Sequence, residues 1–300
     1  MQSTDTDHGK PSLKERLTVI IPSYRRGKPL HRALSSILQQ NPVPAVLVVD
    51  DGGEPALESD ALPENVKLLR LPENQGGAAA RNAGVAAVDT PWITFLDDDD
   101  EWLPDTASLY DRLLSPDACE GVCFVSALEV YDEGRGEVVG IRTPATREKG
   151  EAYFLERYPD GRSPLTKQTF VIPGYIYAES GGFDEALRSR VHSEFSLRLN
   201  AISRIEALSN VTYRLHKHGA QQVSKNPALR HRSYLHITRK HRKLFAKHPL
   251  GALRWAYHHA QRCWRDGAQI KGGSTMLRAA IRHPSAFIRL ALKHLFSSRG

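Results

Sequence analysis

The stretch WITFLDDDD, residues 92–100, joins a short apolar run to four consecutive aspartates. The apolar run predicts a buried strand, because it is short and bounded by polar residues. Adjacent carboxylates repel one another and destabilise a fold unless a cation or hydrogen-bond donors compensate. Oxygen ligands in this number suit Mn²⁺ or Mg²⁺. Asp97 and Asp99 point to the same side of an extended segment, so one can bind the metal while the other reaches a sugar hydroxyl. The alternative is a solvated acidic loop.

Three further apolar runs precede this stretch, with helical spacing between some of them. The predicted strands are Leu17–Ile21, Ala45–Val49 and Val66–Leu71, and the predicted helices are Leu30–Gln39 and Gly77–Val88. Alternating strands and helices indicate an α/β chain with a mostly parallel sheet flanked by helices. Ligands bind beyond the carboxyl ends of such strands. Polar clusters stand at these ends: Ser23–Tyr24, Asp50–Asp51 and Asp97–Asp100.

The rest of the chain is less regular. The predicted elements are strands Gly121–Val130 and Gln168–Ile172 with a polar loop between them, a helix over Phe195–Ile205, helices at 231–247 and 251–265 broken at Pro249, and a last helix after Pro284. In that last helix one face is apolar and basic residues lie opposite: Phe287, Ile288, Ala291, Leu292 and Leu295 against Arg289 and Lys293. This pattern is typical of a helix that lies on a membrane, and equally of one that faces a protein core.

The composition of the 300-residue chain excludes several classes of protein. With 40% hydrophobic and 25% charged residues it is neither disordered nor collagen-like, and its length suits one large domain or two small ones. No apolar run approaches the ~18 residues that cross a bilayer, and the polar N-terminus is unlike a secretory signal. The cysteines, Cys119, Cys123 and Cys263, are too few for a disulfide framework. We therefore expect a reducing, cytoplasmic location.

Charge is distributed unevenly along the chain. Residues 214–300 contain 19 Lys and Arg, one acid (Asp266) and 10 of the 13 histidines, a net charge of +18. Residues 1–213 carry a net charge of −11. The basic part predicts an anionic partner, such as a membrane surface, an anionic lipid or glycan, or nucleic acid. The alternative is a basic helical layer that neutralises the acidic body.

Two glycine-containing segments follow predicted strands. In VVDDGG, residues 48–53, a carboxylate beside a tight turn can accept a hydrogen bond from a nucleobase N–H, although Asp-Gly turns are common. In ENQGGAAARNAG, residues 73–84, small residues permit close backbone approach, and Asn74 or Arg81 can meet ligand oxygens. The structural alternative is a well-packed helix start with Arg81 in an ion pair with the acidic cluster.

In this order and at these gaps, TVIIPSYRR (18–26), VVDDGG (48–53), NQGGAAARNAG (74–84) and ITFLDDDDEW (93–102) resemble the family 2 glycosyltransferases of the GT-A fold. The resemblance is close over residues 17–110 and loose over 165–215. It predicts a polar tail (1–16), a GT-A domain with a nucleotide-binding half (17–110) and an acceptor half (111–215), and a basic helical region (216–300). The family usually has Ser where this chain has Gly53, which leaves both acids in place.

The resemblance also implies roles for individual residues. The nucleotide sugar would be bound by Pro22, Ser23, Tyr24, Asp51, Arg81, Asp97 and Asp98. Among them Asp51 would recognise the base, usually uracil. Asp97 and Asp99 match the D-x-D motif and would hold Mn²⁺ or Mg²⁺, with Asp99 as the direct ligand. His216 and His218 resemble a later His-containing loop of the family; either would close over the diphosphate or complete the metal shell, and we assign His218 to the metal.

The segment GGFDEALRSRVHSEFSLRL, residues 181–199, resembles the family region that supplies a general base. Glu194 matches the second acid of that region, whereas His192 stands where an Asp is usual. Either group can take the proton of an acceptor hydroxyl, because histidine titrates near neutral pH and burial can raise the pKa of a glutamate. We favour Glu194. An ion pair with Arg198, four residues on, is its structural alternative.

The implied activity is a metal-dependent, inverting transfer from a nucleotide sugar, preferably a UDP-sugar, to a glycan or lipid-linked acceptor at the cytoplasmic membrane face, as in cell-surface polysaccharide synthesis. One alternative is a sugar-phosphate nucleotidyltransferase, but the loop PSYRRGKP (22–29) has one glycine where triphosphate binding favours several. A non-catalytic protein that binds nucleic acid or membrane is another, although it leaves the aspartates unexplained. A third is an inactive binding module of the same fold, which His192 permits.

Overall fold

The computed structural model describes residues 10–25, 27–114, 120–151, 167–217 and 226–289. Its first part alternates between helices and strands: α1 (Leu13–Arg16), β1 (Leu17–Ser23), α2 (Lys28–Leu38), β2 (Ala45–Asp50), β3 (Val66–Arg70), α3 (Gly77–Ala86) and β4 (Trp92–Phe95). The four strands and two helices predicted in this part are confirmed, with small differences at their ends.

The middle of the chain contains more strands than the sequence indicated. Its elements are β5 (Glu101–Trp102), α4 (Thr106–Leu113), β6 (Val122–Asp132), β7 (Glu137–Arg142), β8 (Val171–Pro173), α5 (Gly174–Ser180), α6 (Val191–Ile202) and β9 (Arg204–Lys217). The prediction of a loop after β6 was wrong in part, because β7 lies there and pairs with β6. The sequence did not predict β9, because buried and exposed residues do not alternate regularly along this strand.

The nine strands of the described residues form one sheet in the order β3-β2-β1-β4-β8-β6-β9-β5, with β7 beside β6. The first four strands of that order are parallel, as predicted. The later part is mixed, because β8 runs antiparallel to β4 and β6 while β6 and β9 are parallel. Ser23 is in register with Asp50, and the Leu96 N–H donates to the Ile20 carbonyl at 3.1 Å. The three predicted polar clusters therefore meet at one edge.

The core lies on both faces of the sheet. Val19 and Ile21 of β1 belong to a buried cluster that includes residues of α2 and α4, whereas Ile20 belongs to a cluster that includes residues of α3, α5 and α6. Successive strand residues point to opposite faces, and here helices cover both. This is why each central strand reads as a continuous apolar run.

The basic C-terminal region is helical and packs on the body. Its helices are α7 (Pro227–Lys240), α8 (Arg242–Lys247), α9 (Pro249–Arg265) and α10 (Gln269–Arg282). Ile237 and Leu253 are fully buried in the same cluster as Ile20, so α7 and α9 share the core of the sheet. The predicted boundary after residue 215 falls inside β9.

Within the described part of the chain, no helix is long and apolar enough to cross a membrane. The predicted helix after Pro284 falls only partly on this part, because residues 290–300 lie outside it.

Candidate functional site

The acidic loop after β4, Asp97–Asp100, turns through a hydrogen bond from the Asp100 N–H to the Asp97 carbonyl at 3.0 Å. Burial alternates along it: Asp98 and Asp100 are buried, whereas Asp97 and Asp99 are partly exposed. The Ser23 hydroxyl donates to Asp98 at 2.9 Å, which ties the loop to the end of β1. Asp97 and Asp99 are therefore the two carboxylates that a ligand at the surface reaches most readily.

Asp100 anchors this loop in the interior. Its carboxylate accepts hydrogen bonds from the Tyr213 hydroxyl at 2.7 Å and the His216 N–H at 2.8 Å, both on β9. Burial raises the pKa of Asp100 well above its usual value, and the charges of Asp97 and Asp99 raise it further. The carboxylates of the loop thus lie close enough to act on one another. Closely spaced carboxylate oxygens are ligands that suit a divalent cation.

Arg81 of α3 forms an ion pair with Asp97. Its guanidinium also donates to the Gly77 carbonyl at 2.8 Å and lies 5.6 Å from the centroid of the Phe183 ring. The ion pair foreseen as the structural alternative is thus present, and contact with a diphosphate stays a prediction. Arg81 compensates Asp97, and metal binding by Asp97 or Asp99 stays a prediction.

Asp51 fastens the glycine-rich loop before α3. Its two carboxylate oxygens accept from the backbone N–H groups of Gln75 and Gly76, each at 2.8 Å. Its own N–H donates to the Ser23 carbonyl at 2.8 Å. Burial raises the pKa of Asp51, although these hydrogen bonds lower it. Each carboxylate oxygen can accept a second hydrogen bond, so recognition of a base stays a prediction beside this structural role.

Glycines shape the same edge. Gly52 has a φ of +68°, and a Cβ there would collide with the backbone of Glu73. Gly76 has a φ of +93°, and a Cβ there would collide with the guanidinium of Arg188. Arg188 was not predicted, although it lies within the segment that resembles the family's base region. Its charge opposes the rise in the pKa of Asp51, so the edge carries a second cation besides Arg81.

Pro22 and Tyr24 lie at the rim of this edge. The Tyr24 side chain is exposed, and the Arg25 guanidinium carbon lies 5.1 Å from its ring centroid. Pro22 is partly buried at the end of β1. Their contact with the nucleotide stays a prediction, as does that of Ser23.

Asn82 connects α3 to the loop that carries GGFDE, and it too was not predicted. Its Oδ1 accepts from the Tyr177 hydroxyl at 2.6 Å and the Phe183 N–H at 2.8 Å. Its Nδ2 donates to the Phe183 carbonyl at 2.9 Å and to Glu185 at 2.7 Å. In the sequence, its position next to Arg81 in NQGGAAARNAG could have marked Asn82 as a candidate residue. Asn82 thereby fixes the Phe183 ring on which Arg81 packs.

Glu194, predicted as the general base, is fully buried and bound by cations. Its oxygens accept from Arg198 Nε and Nη2 at 2.8 and 2.7 Å, and Lys240 Nζ and His241 Nε2 both lie 2.9 Å from Oε1. Burial alone would raise the pKa of Glu194, but the bonds from His241, Arg198 and Lys240 outweigh it and lower the pKa far below its usual range. A carboxylate held in this way is a poor proton acceptor, so the contacts favour the ion-pair alternative. The catalytic role stays a prediction.

His192 lies in the first turn of α6, two residues before Glu194, and is partly exposed. Its ring centroid lies 5.3 Å from that of Phe183, edge to face. The Arg81 guanidinium packs against the same ring, so Phe183 connects His192 to the Arg81–Asp97 pair. Of the two candidate bases, His192 is the more exposed, since Glu194 is fully buried.

His216 is part of the network below the acidic loop. Its Nδ1 lies 2.7 Å from Glu133 and its Nε2 2.5 Å from Glu101, and the side chain is buried. Both ring nitrogens are thus engaged, and contact with a diphosphate would require the ring to move. His218, predicted as a metal ligand, lies outside the described residues.

A separate group of possible metal ligands, His231, His259 and Cys263, lies between α7 and α9. Arg190 donates to His259 Nδ1 at 3.1 Å, so a neutral His259 carries its proton on Nε2, the atom that faces His231 and Cys263. Burial, and then the charge of Arg190, lower the pKa of His259 to about 3. A proton on the ligand atom and nearby positive charge both oppose a metal ion. We interpret this group as a hydrogen-bonded part of the core.

Comparison with known proteins identifies the class. Residues 18–161 match the family described as Glycosyl transferase family 2. An uncharacterized glycosyltransferase of Haemophilus influenzae is 28% identical over 186 residues, which is 61% of each chain. The succinoglycan biosynthesis protein ExoO of Rhizobium meliloti is 38% identical over 187 residues, 57% of this chain and 52% of ExoO. The chain thus spans between half and two thirds of the length of these relatives.

Among solved structures, that of S. aureus TarS 1–349 in complex with UDP-GlcNAc aligns with a TM-score of 0.61 at 17% identity. The alignment covers 90% of this chain and 81% of the TarS chain. Residues 18–161, just under half of the chain, are thus similar to glycosyltransferase family 2, and the chain has the GT-A fold, which confirms the resemblance and the fold class predicted from its motifs. The family match includes Asp51, Arg81 and the acidic loop, whereas α6, with His192 and Glu194, lies beyond it.

Proposed function

We propose that this protein transfers a sugar from a nucleotide sugar, preferably a UDP-sugar, to a glycan or lipid-linked acceptor in the synthesis of a cell-surface polysaccharide. One observation carries the proposal: Asp51, Ser23 and Asp98, which lie at or just after the ends of three parallel strands, are joined by successive hydrogen bonds at one sheet edge. The match of residues 18–161 to glycosyltransferase family 2 supports the reaction class. The UDP-GlcNAc in the TarS structure supports the donor class, and the name of ExoO supports the polysaccharide context.

The acidic loop fits Mn²⁺ or Mg²⁺, which Asp99 and Asp97 would hold. Burial, and then the charges of Asp97 and Asp99, raise the pKa of Asp100, so these carboxylates lie close together, and carboxylate oxygens suit both ions. When bound, such an ion neutralises charge on a leaving diphosphate.

The protein supplies positive charge of its own at the same edge. Arg81 is fixed by Asp97, Gly77 and the Phe183 ring, and Arg188 lies against Gly76. Cations that are already oriented stabilise developing charge without reorganisation during the reaction. We assign to Arg81 and Arg188 the stabilisation of the diphosphate as the glycosidic bond breaks.

We assign removal of the acceptor proton to His192, in place of the Glu194 favoured from sequence. A neutral imidazole accepts the proton as the hydroxyl oxygen attacks the anomeric carbon. Attack from the side opposite the diphosphate inverts the configuration at that carbon. Glu194 has a positioning role, because its contacts with Lys240 and His241 hold α6 against the C-terminal helices.

Thermal unfolding with nucleotides tests the donor site. UDP or dTDP with Mn²⁺ or Mg²⁺ should raise the Tm, since a ligand at 100 times its Kd stabilises the folded state by about 2.7 kcal/mol. Asp99→Ala should abolish the metal-dependent part of the shift. Asp89→Ala, at an exposed acid before β4, is the matched control and should behave like the wild type. An equal, metal-independent shift in Asp99→Ala would refute the metal assignment.

Product analysis separates the proposed reaction from its alternative. A panel of nucleotide sugars, monitored for release of nucleoside diphosphate, identifies the donor. Release of pyrophosphate from a nucleoside triphosphate and a sugar phosphate would instead favour a nucleotidyltransferase.

A further inference from the structure

Three large aliphatic side chains of α10 face solvent. Ile270, Leu277 and Ile281 are 87%, 62% and 70% exposed. They are seven and four residues apart, so at 3.6 residues per turn they point in nearly the same direction. We call these three residues the outer face of α10. Leaving three such side chains in water forgoes the free energy of burying them, so we expect a partner to cover this face.

The opposite side of α10 already packs on the protein. Gly272, Thr275 and Ala279 are buried there, and a Cβ on Gly272 would collide with Trp264 of α9. Helix α10 therefore docks through a narrow side of small residues, and the outer face lies about half a turn away. Solvent-facing helix positions are normally polar, so aliphatic residues on this side serve something other than the described core.

Basic residues follow each member of the outer face. Lys271, Arg278 and Arg282 come directly after Ile270, Leu277 and Ile281, and all three are exposed. Within the described residues none of these three cations forms an ion pair with a carboxylate. At about 100° per residue they form a single stripe beside the aliphatic one.

The rest of the described C-terminal region is also strongly basic. Residues 226–289 contain 14 Lys and Arg and a single acid, Asp266, which is bound to Arg230. Beyond α10, Ile288 is 57% exposed and Arg289 follows it. The cationic field therefore extends over the whole surface around the outer face.

We propose that the outer face of α10 binds the surface of an anionic phospholipid bilayer. The aliphatic side chains enter the boundary between headgroups and acyl chains, and Lys271, Arg278 and Arg282 meet lipid phosphates. Charge complementarity selects this occupant. A second copy of the chain would bring two strongly basic surfaces together, which like-charge repulsion opposes. This proposal does not depend on the proposed glycosyl transfer.

Vesicle sedimentation with the full chain tests the proposal. The protein should bind vesicles of phosphatidylcholine with phosphatidylglycerol, and bind pure phosphatidylcholine vesicles at least about tenfold more weakly. The double variant Leu277→Ser/Ile281→Ser should lose at least about tenfold in affinity for the anionic vesicles. Ile141→Ser is the matched control: Ile141 is 61% exposed on β7, and its loss should leave binding unchanged.

Two further measurements keep the result interpretable. The variants should retain the far-UV circular dichroism and the Tm of the wild type, because all substituted side chains are exposed. Lys271→Gln/Arg278→Gln should weaken binding to anionic vesicles, and the remaining affinity should depend less on salt.

Three outcomes would overturn the proposal. The first is equal binding of wild type and the Leu277→Ser/Ile281→Ser variant to anionic vesicles. The second is a wild-type chain that does not sediment with them. The third is a dimer, seen by light scattering without lipid, that the double variant dissociates; the outer face would then bind a second copy.

Discussion

The acidic loop Asp97–Asp100 and the carboxylate of Glu194 place the same chemical group in opposite electrostatic surroundings. In the loop, four carboxylates crowd together, and burial and neighbouring charge raise the pKa of Asp100. At Glu194, one buried carboxylate meets Arg198, Lys240 and His241, and its pKa is lowered. Glu194 is compensated by cationic side chains of the protein, whereas the partner that we propose for the loop is a divalent cation. A functional site and a structural ion pair can thus be told apart by what compensates the charge.

The largest expected effect is on stability at Glu194. Glu194→Gln removes the charge that Arg198, Lys240 and His241 share, and breaking a buried ion pair from one side costs about 3–5 kcal/mol. The free energy of unfolding in urea should fall by this amount. Glu206→Gln, at a partly exposed glutamate paired with Arg204, is the control and should cost at most about 1 kcal/mol. A loss that small at Glu194 itself would contradict the structural role.

The next effect is on catalysis at His192. If Glu194 is too weak a base, His192→Gln should lower kcat by about 100-fold or more, the usual contribution of a general base. The Tm and the nucleotide-dependent thermal shift should remain those of the wild type. The pH–rate profile should also lose its acidic limb.

A reversed result would reassign the base. Transfer at the wild-type rate by His192→Gln, with no transfer by a folded Glu194→Gln protein, would identify Glu194 as the base.

The pH dependence of stability distinguishes Glu194 from the acidic loop, because the pKa values of Glu194 and Asp100 are shifted in opposite directions. Glu194 has a lower pKa in the folded protein than the ~4.3 of an unfolded glutamate, so its stabilisation is present above that pH and is lost as the pH falls toward the folded value. Asp100, with a raised pKa, acts in the opposite sense: its contribution is present below about pH 4 and is lost as the pH rises through its folded pKa. The difference in unfolding free energy between wild type and Glu194→Gln should shrink as the pH falls below about 4. A difference that grows as the pH falls would contradict the lowered pKa of Glu194.

The smallest effect is relief of repulsion in the acidic loop. Without divalent ions, Asp99→Asn should raise the free energy of unfolding by at most about 1 kcal/mol, because Asp99 is partly exposed and its charge is screened. Urea unfolding in the presence of a chelator measures this change. A clear loss of stability would indicate that favourable contacts of the Asp99 carboxylate outweigh its repulsion.

Sequence reasoning predicted the strands and aspartates at the sheet edge, but not the distant partners of Glu194. Leu17–Ile21 and Trp92–Leu96 were recognisable because apolar runs buried on both faces are short and continuous. Aspartates follow the predicted strands directly in the sequence. Because parallel strands end at the same edge of a sheet, the position of these aspartates at one edge was predictable. The partners of Glu194 include Lys240, the last residue of α7, and His241, which follows it. Both lie more than 40 residues later in the chain, and no local sequence pattern indicated them.

The amino-acid sequence by itself determined the fold class, the family and the edge at which the polar clusters gather, because strand length, glycine placement and motif order are local properties. Only the tertiary structure decided which charges are compensated. It paired Arg81 with Asp97, enclosed Glu194 among cations and left Ile270, Leu277 and Ile281 facing solvent. Electrostatic compensation and burial depend on which distant residues pack together, and that is a property of the folded chain.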